Sequence, residues 1–358
     1  MPTLEEIARL SLVSRSTVSR VINDDPHVSS ETREKVLEVV RRLNYQPHAV
    51  ARSLAAGRTR IIGLVVPAGI VTTFQDPFFP VFVQAMASTC NSRGYSVMLW
   101  LSEAENERRS LNQLLSNGLL AGVIISTIHL PDGLAQQLES AGLPFVLIGQ
   151  HTRPIETHYV DVENRRGAQE IVTHLLRLGY KKIAHICGPM DTVCAQDRRS
   201  GYIDALRARE KAVDERLIIE GDFVEPAGYY AMQQLLPLKP DAVFASNDLM
   251  AMGAIRAMRE VGIRVPRDVG VVGFDDIPSA VSADPPLTTV RQPTHRMGTV
   301  ITETLIDVIE HNDGFIRRVV LPTELVIRES CGAALKLALD ATEANRGSTP
   351  VREWIRKG

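Results

Sequence analysis

The stretch TLEEIARLSLVSRSTVSRVI, residues 3–22, predicts two short helices separated by a polar turn. Thr3 stands as an N-cap with Glu6 three residues later, which is the pattern of a capping box, and Ser14 caps the second helix. Apolar residues recur where two such helices bury their side chains against each other. These residues are Ile7, Ala8, Val13, Val18, Val21 and Ile22. The pattern therefore predicts a helix-turn-helix.

The second helix leaves polar side chains facing outward, namely Arg15, Ser16, Ser19 and Arg20. A helix fits the major groove of B-DNA, and side chains near its N-terminus reach base edges there. Residues 1–60 carry ten Lys or Arg and seven acidic residues, a net +3, although the whole chain is −2. This modest excess predicts weak, salt-sensitive binding by one copy, and hence a homodimer on double-stranded DNA.

Spaced residues in this region resemble the lactose/galactose repressor family of bacterial transcription regulators. The matches are Ile7-Ala8, Val13-Ser14, residues 17–21, Asn23, Val28-Ser29, Thr32-Arg33, Asn44-Tyr45, Pro47 and residues 49–54, the last six being similar to the purine repressor hinge. The family has Ala-Gly in the turn where this chain has Ser11-Leu12. Glycine relaxes a left-handed backbone position there, so Leu12 is expected either to be mildly strained or to alter the turn.

The resemblance implies a palindromic operator and a set of DNA-binding residues. Arg15, Ser16 and Arg20 are expected to read bases. The other expected DNA-binding residues are Ser14, Thr17, Ser19, Asn23, Ser29, Thr32, Tyr45, His48, Ala51 and Leu54. Residues 47–56 are expected to form a hinge helix only on DNA, because isolated helices this short are marginal in water. Leu54 would then wedge into the minor groove.

From residue 61 onward, short β-rich runs alternate with amphipathic helical ones. Strands are predicted at 61–66, 95–101, 122–128, 145–148, 182–187, 217–220, 242–245 and 269–273. Helices are predicted at 79–93, 105–117, 134–141, 164–178, 198–209, 228–235 and 249–261. Such alternation indicates parallel sheets covered on both faces. The polar stretch 150–162 splits the strands evenly, so we predict two sheets rather than one.

This body resembles the periplasmic sugar-binding-protein fold used by the same repressor family. Matching residues include Pro77-Phe78-Phe79, Gly122-Val123-Ile124, Leu178-Gly179-Tyr180, Arg198, Asn247-Asp248, Gly273-Phe274-Asp275-Asp276 and residues 285–290. The fold class expected is an N-terminal all-α helix-turn-helix domain plus an α/β two-lobed domain built on two doubly wound parallel sheets. The resemblance also implies three crossings between lobes, near residues 161, 291 and 322.

The expected domain boundaries follow from this division. They are 1–46 for the helix-turn-helix domain, 47–60 for the hinge and linker, 61–330 for the two-lobed domain and 331–358 for a C-terminal tail. Lobe one takes about 61–160 and 292–321, and lobe two about 162–290 and 322–330. The tail lacks the heptads of a tetramer-forming coiled coil, so a dimer is expected, with a helix at 333–345.

Ligands of open parallel sheets bind beyond the C-terminal strand ends. Arg198, Asn247 and Asp275 follow predicted strands and correspond to effector-contacting positions of the family. A guanidinium, an amide and a carboxylate suit the hydroxyls of a sugar or related metabolite. Helix capping is the alternative role for Asn247 and Asp275. Further candidates are Phe78 and Phe79 as an apolar wall, with Asp76, Gln150 and His151 at the rim.

Other classes of protein lack support in the sequence. It has no apolar stretch near 20 residues and no secretion signal, which predicts a cytoplasmic protein. Phosphate-loop, dinucleotide and HExxH motifs are absent, so no catalytic residue, metal or cofactor is expected. Cys90, Cys187, Cys194 and Cys331 are expected as buried or half-buried free thiols. The alternatives left open are an activator, a co-repressor-dependent regulator and, outside regulation, a solute-binding protein.

Overall fold

The computed structural model describes residues 2–22, 25–45, 59–66, 76–101, 118–126, 134–152, 156–311 and 313–336. The chain divides into two compact units, Met1–Arg60 and Ile61–Gly358. The first contains the helices α1 (Leu4–Ser11), α2 (Arg15–Ile22) and α3 (Ser30–Arg42). The predicted hinge helix at 47–56 and the predicted helix at 105–117 lie outside the described residues.

The first unit folds around a small apolar core. Its buried residues are Ile7, Ala8, Val18, Val21, Val36 and Val39, with Val13 and Ile22 packed against them. The Thr3 hydroxyl accepts the Glu6 amide at 3.2 Å, and the Ser14 hydroxyl accepts the Thr17 amide at 3.1 Å. These caps satisfy donors that the first turn of each helix leaves without intrahelical partners. The helix-turn-helix prediction is confirmed.

Leu12 ends α1 in the left-handed region, with φ 54° and ψ 39°. Its amide still closes the helix by donating to the Ala8 carbonyl. The side chain is 92% exposed, so it gains almost nothing from packing. A residue with a Cβ pays roughly 1–2 kcal/mol at such a position. Of the two outcomes expected for Leu12, the structure therefore has the strained left-handed position.

The second unit alternates strands and helices. Its strands are β1 (Ile61–Val66), β2 (Ser96–Leu101), β3 (Gly122–Ser126), β4 (Phe145–Ile148), β5 (His158–Val162), β6 (Ile183–Cys187), β7 (Ile218–Glu220), β8 (Ala242–Ala245), β9 (Gly270–Val272), β10 (Thr289–Arg291), β11 (Arg318–Leu321) and β12 (Glu324–Val326). Its helices are α4 (Phe78–Ser92), α5 (Leu134–Ser140), α6 (Asn164–Arg177), α7 (Val193–Arg207), α8 (Glu225–Leu235), α9 (Asp248–Glu260), α10 (Pro278–Ser282) and α11 (Thr294–His311).

Two parallel sheets organise these elements. One has the order β11-β5-β4-β3-β1-β2 and the other β7-β6-β8-β9, while β10 and β12 form an antiparallel pair. Helices α4 and α11 cover one face of the first sheet and α5 the other. Helices α8 and α9 cover one face of the second sheet, and α6 and α7 the other. Both sheets are thus doubly wound, as predicted.

The stretch 150–162 is not the loose polar connection that we predicted. Residues 158–162 form β5, which lies between β4 and β11 in the first sheet. Val160 and Val162 supply the apolar contacts, because both are buried in the core of that sheet. The strand was not predicted because polar residues lie beside these valines, and a segment this polar is typical of a loop. Asp161 is nevertheless buried.

Other boundaries differ by smaller amounts. Helix α7 begins at Val193, so Arg198 lies within the helix rather than at its first residue. Strands β10, β11 and β12, of three or four residues each, were not among the predicted strands. Residues 333–336 are helical, and the rest of the predicted tail helix lies outside the described residues. None of the helices in the described ranges is both long and apolar enough to span a bilayer.

Candidate functional site

One candidate surface is the outer face of α2. Arg15, Ser16 and Arg20 are exposed there, while Thr17 and Ser19 are half-buried. Val18 and Val21 turn inward to the core of the unit. An 8-residue helix with one apolar side can therefore present its polar side to another molecule.

Both arginines of this surface have acidic neighbours. Arg15 Nε lies 3.0 Å from Glu5 Oε1, and both side chains are more than 60% exposed. Arg20 Nε lies 3.9 Å from Asp25 Oδ2. Exposed pairs of this kind contribute about 0–1 kcal/mol, so the guanidinium groups can exchange these partners for phosphates or bases.

Hydroxyl groups organise the first turns of α2 and α3. Ser14 Oγ lies 2.7 Å from Ser16 Oγ and 2.8 Å from Thr17 Oγ1. Ser29 caps α3 by accepting the Thr32 amide at 3.4 Å. Capping therefore already explains Ser14 and Ser29 structurally, and a DNA contact is an additional role.

The remaining DNA-binding candidates fall into two groups. Tyr45 packs against the core of the first unit while remaining partly exposed. Asn23, His48, Ala51 and Leu54 lie outside the described residues.

A second candidate site is a cleft in the second unit, with about 650 Å³ of empty space that is partly open to solvent. Its walls combine residues that follow strands of both parallel sheets, where ligands of such sheets bind. The lining residues are Asp76, Phe78, Phe79, Ser126, Ile148, Gly149, Asp161, Asn164, Cys194, Arg198, Phe223, Asn247, Asp275, Gln292 and Met297. Five of the predicted effector residues and the rim candidate Asp76 therefore line one cavity.

Arg198 occupies the centre of the polar wall. Its Nε donates to Asn164 Oδ1 at 3.0 Å and its Nη1 to the Ser246 carbonyl at 2.6 Å. The guanidinium carbon lies 3.9 Å from the centre of the Phe274 ring, a cation–π contact. These contacts hold the buried guanidinium in one orientation toward the cleft.

Asp275 lies beside this guanidinium, with Oδ1 3.6 Å from Arg198 Nη1. Gln292 Nε2 donates to the same oxygen at 2.5 Å. Burial raises the pKa of Asp275 to about 7, and Arg198 offsets part of that rise. The residue does not cap the following helix, since Ile277 is the N-cap of α10. Its carboxyl therefore remains available to a ligand.

Asn247 has the capping role that we considered as its alternative. Its Oδ1 accepts the Met250 amide at 2.9 Å, at the start of α9. Its Nδ2 donates to the Phe223 carbonyl at 2.7 Å. One hydrogen of the Nδ2 amide remains, so Asn247 can donate it to a ligand while its other bonds join α9 to Phe223.

The aromatic wall comes from α4 and from Phe223. Phe78 stacks on Phe82 with ring centres 6.0 Å apart, and meets Phe79 edge-on at 5.5 Å. Gly188 makes room for the Phe223 ring, because a Cβ there would lie 2.2 Å from Phe223 Cζ. Apolar rings combined with a few polar groups are typical of small-molecule sites.

The rim candidates Gln150 and His151 do not line the cleft. Gln150 instead supports a lining residue, since its Nε2 donates to Asp161 Oδ2 at 2.9 Å. Asp161 Oδ1 accepts the Asn164 side-chain amide at 2.9 Å. Hydrogen bonds and one ion pair therefore run from Gln150 through Asp161, Asn164 and Arg198 to Asp275.

Sequence reasoning missed several lining residues, above all Asp161, Asn164, Phe223 and Gln292. Asp161 was missed because its stretch was not recognised as a strand. Burial raises the pKa of Asp161 and also that of Asp76. The sequence signal that could have identified Asp161 is its place between two valines. A charged residue rarely lies inside a core without a partner or a ligand.

Both units of the chain match described protein families. Residues 3–48 match the family described as bacterial regulatory proteins, lacI family, and residues 172–331 match a periplasmic binding protein-like domain. The HTH-type transcriptional regulator CelR of Thermobifida fusca is 39% identical over 336 residues, which cover 92% of this chain and 98% of CelR.

Solved structures of full regulators are similar over nearly the same length. A CelR–cellobiose complex is 37% identical with a TM-score of 0.74, covering 92% of this chain and 100% of that one. A Lac repressor dimer bound to operator and the anti-inducer ONPF is 31% identical with a TM-score of 0.79, covering 92% and 99%. With its helix-turn-helix and its two-sheet ligand fold, the chain belongs to the lacI family of bacterial regulatory proteins, and is a DNA-binding transcriptional regulator.

Proposed function

We propose that this protein is a repressor that binds a palindromic operator as a homodimer, and that a sugar or related metabolite in the cleft controls its operator affinity. One observation carries the ligand half of the proposal. Arg198, Asn247 and Asp275 come from separate segments of the second unit, yet they line one cavity together with Phe78. A cytoplasmic location is part of the proposal, because the operator partner is chromosomal DNA.

On the DNA side, we assign base readout to Arg15, Ser16 and Arg20. Support comes from their exposure on one side of α2. A bidentate arginine–guanine contact is worth about 1–3 kcal/mol of discrimination. Phosphate contacts are assigned to Ser14, Thr17, Ser19, Asn23 and Thr32, and further DNA contacts to Ser29, Tyr45, His48 and Ala51.

The proposed hinge couples the ligand to DNA. Residues 47–56 would fold as paired helices in the operator minor groove, where each Leu54 wedges into the central step. Unstacking that step costs a few kcal/mol and is offset by new contact area. A ligand that changes how the two parallel sheets approach each other would alter the spacing of the paired hinges.

The proposed effector class is a sugar. Hydroxyl groups match the carboxyl, amide and guanidinium groups of the cleft. The solved CelR structure is a complex with cellobiose, which supports the same class of ligand here.

Selection from a pool of random duplex DNA tests the DNA half. We expect two-fold symmetric sites to be enriched. Arg20→Ala should lower selectivity between the enriched site and its variants, whereas Thr32→Ala should weaken binding to every sequence similarly. If no symmetric site is enriched, with or without added metabolites, the proposal is wrong.

A further inference from the structure

The cleft is lined by more acidic groups than basic groups. Among its lining residues, Asp76, Asp161 and Asp275 contribute three carboxyl groups, and Arg198 contributes the single guanidinium. The other polar groups there are amides, a hydroxyl and a thiol. Burial raises the pKa of all three acids, that of Asp275 to about 7, so the wall carries its full excess of negative charge at a pH above these raised values.

Arg198 has little capacity to neutralise an additional anion. Its Nε and Nη1 already donate to Asn164 and to the Ser246 carbonyl, and Nη1 also faces Asp275. Only Nη2 makes no hydrogen bond within the described part of the chain. An anion that drew the guanidinium away would leave the buried Asp275 carboxyl with Gln292 as its remaining polar side-chain partner.

The carboxyl groups retain acceptor capacity that hydroxyl groups can use. Asp76 Oδ1 accepts the Phe78 amide at 2.9 Å, which leaves Oδ2 for a ligand. Each carboxylate offers about four lone-pair sites, so Asp161 can accept a ligand hydroxyl besides its contacts to Gln150 and Asn164. A sugar hydroxyl can donate to these acids and accept from Arg198 Nη2, whereas a phosphate dianion can only accept.

Cationic side chains do occur beside the cleft. A neighbouring cavity shares Phe78, Asp275 and Gln292 with it and is also lined by Arg291 and Arg296. Arg291 is engaged, because its Nε lies 2.6 Å from Asp276 and its Nη1 3.2 Å from Glu324. Arg296 is exposed, and is therefore the cation that a phosphate group would be expected to use.

Resting on the proposed function, we propose that the effector is an uncharged, hydroxyl-rich sugar as it exists before any phosphoryl transfer, and that Asp76 and Asp161 exclude its phosphate ester. The repressor would then respond to a sugar that a kinase or phosphotransferase has not yet modified. Like charges in a partly buried site repel far more strongly than in bulk water, which gives the exclusion its physical basis.

Calorimetric titration of the full chain with matched pairs tests the proposal. The probes are glucose and glucose 6-phosphate, ribose and ribose 5-phosphate, and cellobiose and cellobiose 6-phosphate. We expect at least one uncharged sugar to bind, and its ester to bind about 100-fold more weakly or not at all. An ester that binds as tightly as its sugar, especially if Arg296→Ala abolishes that binding, overturns the proposal. So does a panel in which no uncharged sugar binds at millimolar concentration.

Charge-neutralising variants identify the residues responsible. Asp76→Asn and Asp161→Asn should each bind the uncharged sugar less tightly. Each should also reduce the ratio of the ester's dissociation constant to the sugar's about tenfold. Glu303→Gln removes an exposed acid on α11 and should leave the preference unchanged. Equal preferences in all three variants would contradict the assignment of these acids. Operator affinity of the ligand-free protein is measured in parallel, so that failure of the DNA partner and failure of the ligand class give different results.

Discussion

Asp275 and Asp276 are consecutive, yet their carboxyl groups contact different sets of partners. Asp275 faces Arg198 and Gln292 in the cleft. Asp276 lies 2.6 Å from Arg291 Nε and 2.6 Å from Arg328 Nη2. The divergence follows from the backbone, because both residues have positive φ, 116° for Asp275 and 58° for Asp276. Asp276 thus ties the ligand-facing loop to strand β10 and to the segment after β12.

Asp276→Asn should destabilise the protein. Its carboxyl is 7% exposed and bridges two guanidinium groups, and breaking a well-buried pair leaves charge without a partner. We expect the free energy of unfolding in urea to fall by about 2–4 kcal/mol. This loss is smaller than that for a fully buried ion pair, because Arg291 is partly exposed. Asp313→Asn breaks the more exposed pair with Arg317 and should cost under about 1 kcal/mol. Similar losses in both variants would refute the bridging role.

Leu12→Gly should stabilise the first unit. Glycine adopts the observed φ of 54° without strain, and removing a 92% exposed side chain loses almost no packing. The expected gain is about 0.5–1 kcal/mol, after subtraction of the greater freedom of glycine in the unfolded chain. Native-state hydrogen exchange at the Val18 and Val21 amides measures it.

Asn44→Gly is the matched control for Leu12→Gly, since Asn44 also has a positive φ, 47°. Asparagine tolerates this conformation better than leucine does. Its replacement should therefore change hydrogen-exchange protection by less. A larger gain at Asn44 would contradict the strain that we assign to Leu12.

Glu5→Gln should raise operator affinity several-fold. The substitution removes the carboxylate that lies 3.0 Å from Arg15, which frees the guanidinium and removes a charge that repels phosphates. Glu31→Gln removes an acid paired with Lys35 on α3 and should have a smaller effect. Gel-shift titrations at two salt concentrations measure both variants. Equal gains would indicate a general charge effect without a specific role for the Arg15 pair.

His185 should make stability depend on pH. The ring lies between Tyr202 and Phe244, with centroid distances of 5.0 and 4.7 Å, and burial lowers its pKa to about 4. Its ordinary pKa is about 6.5. Between these values the unfolded chain binds a proton that the folded chain does not bind. The contribution of His185 to the free energy of unfolding is therefore constant above pH 6.5 and falls as the pH drops toward 4, by about 3 kcal/mol at most.

His185→Gln removes this proton uptake. Its free energy of unfolding should fall less steeply than that of the wild type between pH 6.5 and 4. The matched control is His311→Gln, because His311 is exposed at the end of α11 and should leave the slope unchanged. Urea unfolding at several pH values measures the slopes, and parallel curves for wild type and His185→Gln would show that the buried ring does not cause the effect.

Local patterns were sufficient to predict the helix-turn-helix and most strands. Capping residues such as Thr3 and Ser14 act on backbone groups within three positions, and apolar periodicity acts over one or two helical turns. Strands β1, β4 and β8 have the predicted bounds. Strand β5 did not follow the same rule, because the acidic residue Asp161 lies between its buried residues Val160 and Val162 and interrupts the apolar run.

The sequence alone determined the family, the two parallel sheets and the residues Arg198, Asn247 and Asp275, since these depend on short motifs and on strand ends. Only the tertiary structure decided which contacts each of these residues makes. Arg198 is held by Asn164 and Ser246, and Asn247 holds α9. Asp161 and Gln292 join the cleft from segments well over one hundred residues apart. Contacts at such separation depend on how the chain crosses between sheets, and no local pattern of residues specifies that path.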